Sequence, residues 1–317
     1  MSYPKVTVIV VPHQCFYYTQ QSLESIYKYT NIPFKLIYID GYSPKNHQQY
    51  LEEQSREKGF RLIRTDKYVT PNQARNIGLQ QVDTEYVVFI NNDILVTSGW
   101  LNTLMKCMEE ANASVVKPVC LEGDKQLIHS AGGRLEFHYR NGNLDLFDKR
   151  LFVKSCLDKT KPLLKRKPTQ IIDLNCVLVR ASIFDKIGDL DEDLRNCVQD
   201  IDFCLSIFAV GGTIYIEPQS IVNYFPVAEL KVSDIPYYML IWNYVWKRKS
   251  IIHFQEKWGL SKDSTFVTNM LEGVNQHQAL PFQSFKESLK TLYSEEKNLV
   301  NHIMFKRTEN RFEKSSL

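Results

Sequence analysis

The feature that most restricts the fold of this chain is an alternation. Four times within roughly the first 110 residues, a short apolar run gives way to a polar-faced stretch with helical spacing. Val6–Val11 (VTVIVV) is β-branched at every position, the pattern of a strand covered on both faces, and Pro12 ends it. Leu23, Ile26 and Tyr27 then repeat at helical spacing over residues 19–29. A second strand is expected over 34–39, ending on Asp40-Gly41, followed by a helix over 47–58 and a short strand over 61–64. Thr70-Pro71 opens a helix over 70–81, with proline in the tolerated first turn. Residues 85–90 (EYVVFI) form a fourth buried strand that ends on Asn91-Asn92-Asp93, and 100–111 is helical again. Strand and crossover helix in this order imply an α/β fold with a parallel, Rossmann-like sheet.

In such sheets, ligands lie beyond the carboxyl ends of the strands. Three of those ends carry polar groups: Pro12-His13-Gln14, Asp40-Gly41 and Asn91-Asn92-Asp93. Further along, strands are expected at 115–119 and 171–179, a turn at Gly132-Gly133, and an excursion rich in Lys and Pro over 149–167. A helix over 200–210 and a strand over 213–217 complete the α/β part. From residue 234 the chain turns aromatic and then helical. These divisions suggest a catalytic domain over 1–228, with halves at about 1–112 and 113–228, and a helical region over 229–317.

A net charge of +3 and two short basic runs, at 165–167 and 247–249, do not make a nucleic-acid surface. The seven cysteines form no Cys-x-x-Cys pair, which argues against a disulfide framework or a zinc ribbon and for a reducing compartment. With no signal-peptide layout at the start and no apolar run near 20 residues, a cytoplasmic protein is expected.

Candidate residues follow from position and chemistry. Asp93 offers oxygen to a hard divalent cation that would bridge phosphates, and Asn91 offers hydrogen bonds to a sugar. Arg75, with Asn76, sits early in a helix, where an anion such as a diphosphate is favoured. Asp200 and Asp202 lie near a helix start. Capping explains one carboxylate there, and the other would serve as a general base.

In order along the chain, these pieces resemble the family 2 glycosyltransferases of GT-A fold, over about residues 5–224. The matching segments are Val6–Val11 with Pro12, Ile39-Asp40-Gly41-Tyr42-Ser43, and Asn72-Gln73-Ala74-Arg75-Asn76-Ile77-Gly78. Next come Phe89-Ile90-Asn91-Asn92-Asp93, Ile128-His129-Ser130-Ala131-Gly132-Gly133 and Gln199-Asp200-Ile201-Asp202-Phe203-Cys204-Leu205. The resemblance implies a nucleotide site at Pro12, His13, Asp40, Arg75, Asn76, Asn91 and Asn92, with Asp40 reading the base and Arg75 facing the diphosphate. It implies Mn²⁺ or Mg²⁺ on Asp93, catalysis by Asp200, and acceptor or sugar contacts from His129, Gly132, Gly133, Gln199 and Asp202. The implied reaction is an inverting transfer from a nucleotide sugar, a UDP-sugar by family prevalence, to a glycan or lipid-linked acceptor in surface polysaccharide synthesis.

Two positions depart from the family pattern. Gln199 stands where a Glu usually precedes the catalytic Asp. Residues 220–224 (SIVNY) lack the His that often serves as a further metal ligand. These departures support an alternative reading, a catalytically degraded nucleotide-binding protein. A sugar nucleotidyltransferase is disfavoured, because Pro12-His13-Gln14-Cys15 replaces the Gly-rich loop it requires. The aromatic stretch 235–258, with Lys247-Arg248-Lys249 inside it, fits packing on the catalytic domain or a second subunit. The competing reading is an interfacial helix at the inner face of a membrane.

Overall fold

The computed structural model describes residues 5–123, 126–140, 143–226, 230–261 and, except for 272 and 275, 270–280. The first half runs β1 (Val6–Val11), α1 (Thr19–Tyr29), β2 (Lys35–Asp40), α2 (Lys45–Lys58), β3 (Arg61–Arg64), α3 (Pro71–Leu79), β4 (Tyr86–Asn91), β5 (Ile94–Val96) and α4 (Trp100–Glu110). It continues with β6 (Val115–Glu122), β7 (Leu127–Ser130), β8 (Gly133–Arg140), β9 (Asn143–Arg150), α5 (Leu157–Thr160), β10 (Lys167–Pro168) and β11 (Cys176–Arg180). Last come α6 (Phe184–Ile187), α7 (Gln199–Ala209), β12 (Ile214–Tyr224), α8 (Ile235–Ile241) and α9 (Tyr244–Trp258).

One ten-stranded sheet carries the fold, in the order β10-β12-β6-β11-β4-β1-β2-β3, with β5 on β12 and β7 on β6. The pairs β2–β3, β1–β2, β1–β4 and β6–β12 are parallel, and β11 runs antiparallel between β4 and β6. The expected Rossmann-like, mostly parallel sheet is therefore present. Strand β1 shows why its residues are β-branched throughout: Val6, Val8 and Val10 enter the core on one face, and Ile9 and Val11 enter the core on the other. Helices α1 and α4 cover the first face through Leu23, Ile26, Trp100 and Leu104, while α3 and α7 cover the second through Ala74, Ile201 and Ile207.

Helix α3 begins as the sequence suggests. Thr70 and Gln73 form a reciprocal capping box around Pro71. Gly78 lets the helix approach β1 closely, since a Cβ there would stand 2.5 Å from Ile9 Cγ2.

Several features differ from the sequence expectation: β5 and β7 are additional strands, and the strand expected at 115–119 runs to Glu122. The strand expected at 171–179 is strand only over Cys176–Arg180; Ile171 and Ile172 ahead of it enter the core, and Asp173, Leu174 and Asn175 line a cavity. The strand expected at 213–217 runs on to Tyr224 across a bulge between Glu217 and Ile221. The hairpin β8–β9 was not anticipated at all. Among the described residues, no helix is long and apolar enough to cross a membrane. The domain boundary expected at 228/229 falls within residues 227–229, outside the described residues, as does most of the region beyond 261.

Candidate functional site

At the carboxyl edge of the parallel strands lies a cavity of about 410 Å³. His13 and Gln14 after β1, Asn91 at the end of β4, and Asp173, Leu174 and Asn175 before β11 form one side. Residues 196–200 at the start of α7 and Tyr224 at the end of β12 form another. Trp242 and Lys247 of the C-terminal helices close the cavity, with Met270, Gly273 and His277 beside them.

Of the sequence-designated residues, His13, Arg75, Asn91, His129, Gln199 and Asp200 line this cavity. Asp200 sits in the first turn of α7, and its Oδ1 accepts a hydrogen bond from the Leu174 amide at 3.0 Å. The loop ahead of it is strained. Asn196 and Val198 both have positive φ, at 56° and 52°, and for β-branched Val198 this is a true outlier, of the kind that accumulates at functional sites.

Arg75 is 1% exposed. One terminal nitrogen donates to Asn72 Oδ1 at 3.0 Å, and the other donates to the Leu174 carbonyl at 3.0 Å and to Asn91 Oδ1 at 3.4 Å. Its guanidinium thus ties α3 to β4 and to the cavity loop, leaving Nε without a partner. Burial lowers its pKa to about 10, against an opposing pull from Asp200.

Asp93 is fully buried directly behind His13. Its Oδ2 meets His13 Nδ1 at 2.7 Å, and its Oδ1 has no partner. Asn92 fixes the same loop: its Oδ1 accepts from the His13 amide at 2.9 Å, and its Nδ2 donates to the Cys15 carbonyl at 2.8 Å. His129 contacts Glu122 at 3.2 Å through Nδ1 and packs on Tyr224, and burial lowers its pKa.

The remaining designated residues stand away from the cavity. Asp40 is buried at the end of β2, accepting from the Ser43 amide at 2.8 Å and bonding Arg64, and Pro12 packs against Gly41. Asn76 is spent on both backbone groups of Leu190 and on Glu192. Asp202 docks α9 on α7, accepting from Trp258 Nε1 at 2.8 Å and pairing with Lys257. Gly132 (φ 80°) and Gly133 answer a packing need, since a Cβ would meet Thr169 Oγ1 at 2.5 Å at the first and the Lys149 carbonyl at 2.5 Å at the second.

Sequence reasoning missed Asp173, Asn175, Tyr224, Trp242 and Lys247. For Lys247 a signal existed. Lys247, Ser250, Ile251 and Phe254 are buried at i, i+3, i+4 and i+7, placing a lysine on the inward stripe of α9.

A second acidic group, Asp191, Asp193 and His253, brings ligand atoms within 4.8 Å of one another. It is already satisfied: Asp191 Oδ2 accepts from Lys257 Nζ at 3.0 Å and contacts His253 Nε2 at 2.9 Å.

The family model described as "Glycosyl transferase family 2" matches residues 7–188, more than half of the chain. The chain belongs to glycosyl transferase family 2. Among curated relatives, it is 22% identical over 152 residues to the pre-mycofactocin glycosyltransferase of Mycobacterium tuberculosis (strain CDC 1551 / Oshkosh), covering 48% of this chain and 29% of that one. It is 29% identical over 108 residues to an uncharacterized glycosyltransferase of Rickettsia bellii (strain RML369-C), covering 34% and 16%. The chain thus spans less than a third of the length of the curated relatives it matches. Among solved structures, GalNAc-T7 with UDP, GalNAc and Mn²⁺ is similar at a TM-score of 0.55 and 16% identity, covering 87% of this chain and 59% of that one. S. aureus TarS is similar at a TM-score of 0.52 and 15% identity, covering 87% and 43%. These likenesses establish the fold, the GT-A fold of glycosyltransferases.

Proposed function

We propose that the chain is an inverting glycosyltransferase that transfers a hexose from a nucleoside-diphosphate sugar, a UDP-sugar foremost, to a hydroxyl of a glycan or lipid-linked acceptor in surface polysaccharide synthesis. The observation that carries this reading is the place of Asp200. A partly exposed carboxylate, oriented by the Leu174 amide, faces a cavity at the carboxyl edge of a GT-A sheet. There Asp200 would take the proton of the acceptor hydroxyl as its oxygen attacks the anomeric carbon. The bond from that carbon to the β-phosphate oxygen breaks, and the nucleoside diphosphate leaves with the electron pair.

The residues present fit a divalent cation. Asp93 Oδ1 is a buried oxygen without a partner, and the His13 imidazole stands beside the same carboxylate. Carboxylate oxygen is a donor that suits Mn²⁺ or Mg²⁺. Asp93 would hold the ion, with His13 as the neighbouring donor, and when bound the ion supplies charge compensation to the diphosphate.

The competing reading, a nucleotide-binding protein without turnover, draws on the closure of Asp93 behind His13. Asp200→Asn separates the two. The amide oxygen can still accept from Leu174, so the fold and donor affinity are expected to hold while transfer falls by about 10²- to 10⁴-fold. Measurable transfer by the wild type that is unchanged in Asp200→Asn would remove Asp200 from the chemistry, and no transfer by either would favour the binding protein.

A further inference from the structure

We propose that Lys247, on α9, is a ligand of the donor's diphosphate, so that the C-terminal helices are part of the donor site rather than an appendage to it. The inference rests on the nucleotide-sugar reading and adds a residue to it from outside the segment matched by the family model, residues 7–188.

The first observation is burial without an ion pair, with the Asp200 carboxylate of the same cavity acting on Lys247 only through space. Lys247 is 5% exposed, its Nζ donates to the Asn196 carbonyl at 2.6 Å, and it stands 4.0 Å from the centre of the Trp242 ring. Among the described residues, no carboxylate forms an ion pair with it. A buried ammonium is costly unless it is paired. The other buried lysine shows the ordinary solution: Lys117 bonds Asn175 and the Cys176 carbonyl and has Asp173 at 4.0 Å. Lys247 has a carbonyl, a ring face and an open cavity.

The second observation is how the other charges at the cavity are spent. Asp173 pairs with Arg150, and Arg75 commits both terminal nitrogens to Asn72, Asn91 and Leu174. His13 is held on Asp93. Among the described residues, Lys247 is thus a cavity-lining cation bonded only to one carbonyl, and Arg75 at the same cavity retains an unpartnered Nε. An ammonium beside an open cavity suits phosphate oxygens. Of the basic run 247–249, only Lys247 turns inward, while Arg248 and Lys249 are exposed. The run is thus two solvated charges beside one placed in the site.

The test is calorimetric binding of UDP, pyrophosphate and uridine to the wild type, Lys247→Met and Lys247→Gln. The expected result is a loss of about 10- to 100-fold in affinity for UDP and pyrophosphate, the scale of a hydrogen bond to a charged group, with uridine unchanged. Lys247→Gln keeps a donor for Asn196 and serves as the folded control if the methionine variant does not fold. Equal losses for UDP and uridine would make Lys247 a wall of the cavity, and unchanged UDP affinity would place the diphosphate elsewhere; either overturns the proposal. If the wild type binds neither UDP nor GDP, dTDP or CDP, the nucleotide-sugar reading itself falls, a result distinct from both.

Discussion

Replacing His13 by Leu would leave the Asp93 carboxylate fully buried with neither oxygen hydrogen-bonded. Breaking a buried pair from one side is expected to cost about 3–5 kcal/mol. Urea denaturation of His13→Leu should show this, and adding Asp93→Leu should recover most of it. If the two losses simply add, the side chains are not acting as a pair. The interaction was not legible beforehand. Asp93 stood out as a carboxylate after a strand and His13 as a loop histidine, but their 2.7 Å contact depends on β1 and β4 being sheet neighbours in register. For Asp200 the helix start alone points equally to capping, and only the resemblance over Gln199–Leu205 directs attention to it; it lines the cavity. Asp202, two residues on, projects from another side of the same helix onto Trp258 and Lys257, which spacing alone did not separate from the site.

Among the elements, the crossover helices and the long parallel strands follow the sequence pattern closely, while the short β5 does not, since local pattern and tertiary environment agree for the former: β-branched runs are strands buried on both faces, and Thr70-Pro71 is a helix start. Gly78→Ala tests the closest of these contacts. Its Cβ would collide with Ile9 of β1, so an apparently helix-favouring change is expected to destabilise by about 1–3 kcal/mol, read as a lower urea midpoint with unchanged slope. An equal or higher midpoint would show that α3 can shift off the sheet. The hairpin β8–β9 was missed although the sequence marks it. Leu135, Phe137 and Tyr139 alternate with polar residues, and Asn141-Gly142 between two alternating runs is a strong hairpin signal. Residues 171–175 were misread for the opposite reason. Ile171 and Ile172 extend the apolar run of β11, but Asp173 pairs with Arg150 and Asn175 bonds Lys117, contacts that an apolar pattern does not announce.

At the scale of the molecule, the C-terminal helices and the sheet meet over one cavity, and that junction contains a titrating group. His277 lies flat on Trp242 at 3.4 Å and shares a 2.7 Å hydrogen bond with the Tyr238 hydroxyl. Burial, then the charges of Lys247 and His13, lower its pKa from 6.5 to about 4. Between those values the unfolded chain holds more protons than the folded one, so this contribution to stability is present above pH 6.5 and is lost as pH falls toward 4. The melting temperature should therefore drop across that window, and His277→Phe, which preserves stacking, should flatten the drop; an identical pH profile in the variant would assign the change to other groups. Tyr237 and Tyr238 are fully buried, and Trp246 stacks under Arg195. The aromatic stretch thus spends much of its apolar surface on its own fold, leaving Tyr244, Val245 and Ile252 as its exposed large side chains.

The central claim is that this cavity receives the nucleoside diphosphate of a sugar donor. Calorimetric titration of UDP, GDP, dTDP and CDP into the wild-type protein, with and without Mn²⁺, tests it most directly. The account predicts saturable one-to-one binding of one of these nucleotides, UDP foremost, strengthened by Mn²⁺ and losing that metal dependence in Asp93→Ala. An absence of binding by all four in the presence of Mn²⁺ would contradict it.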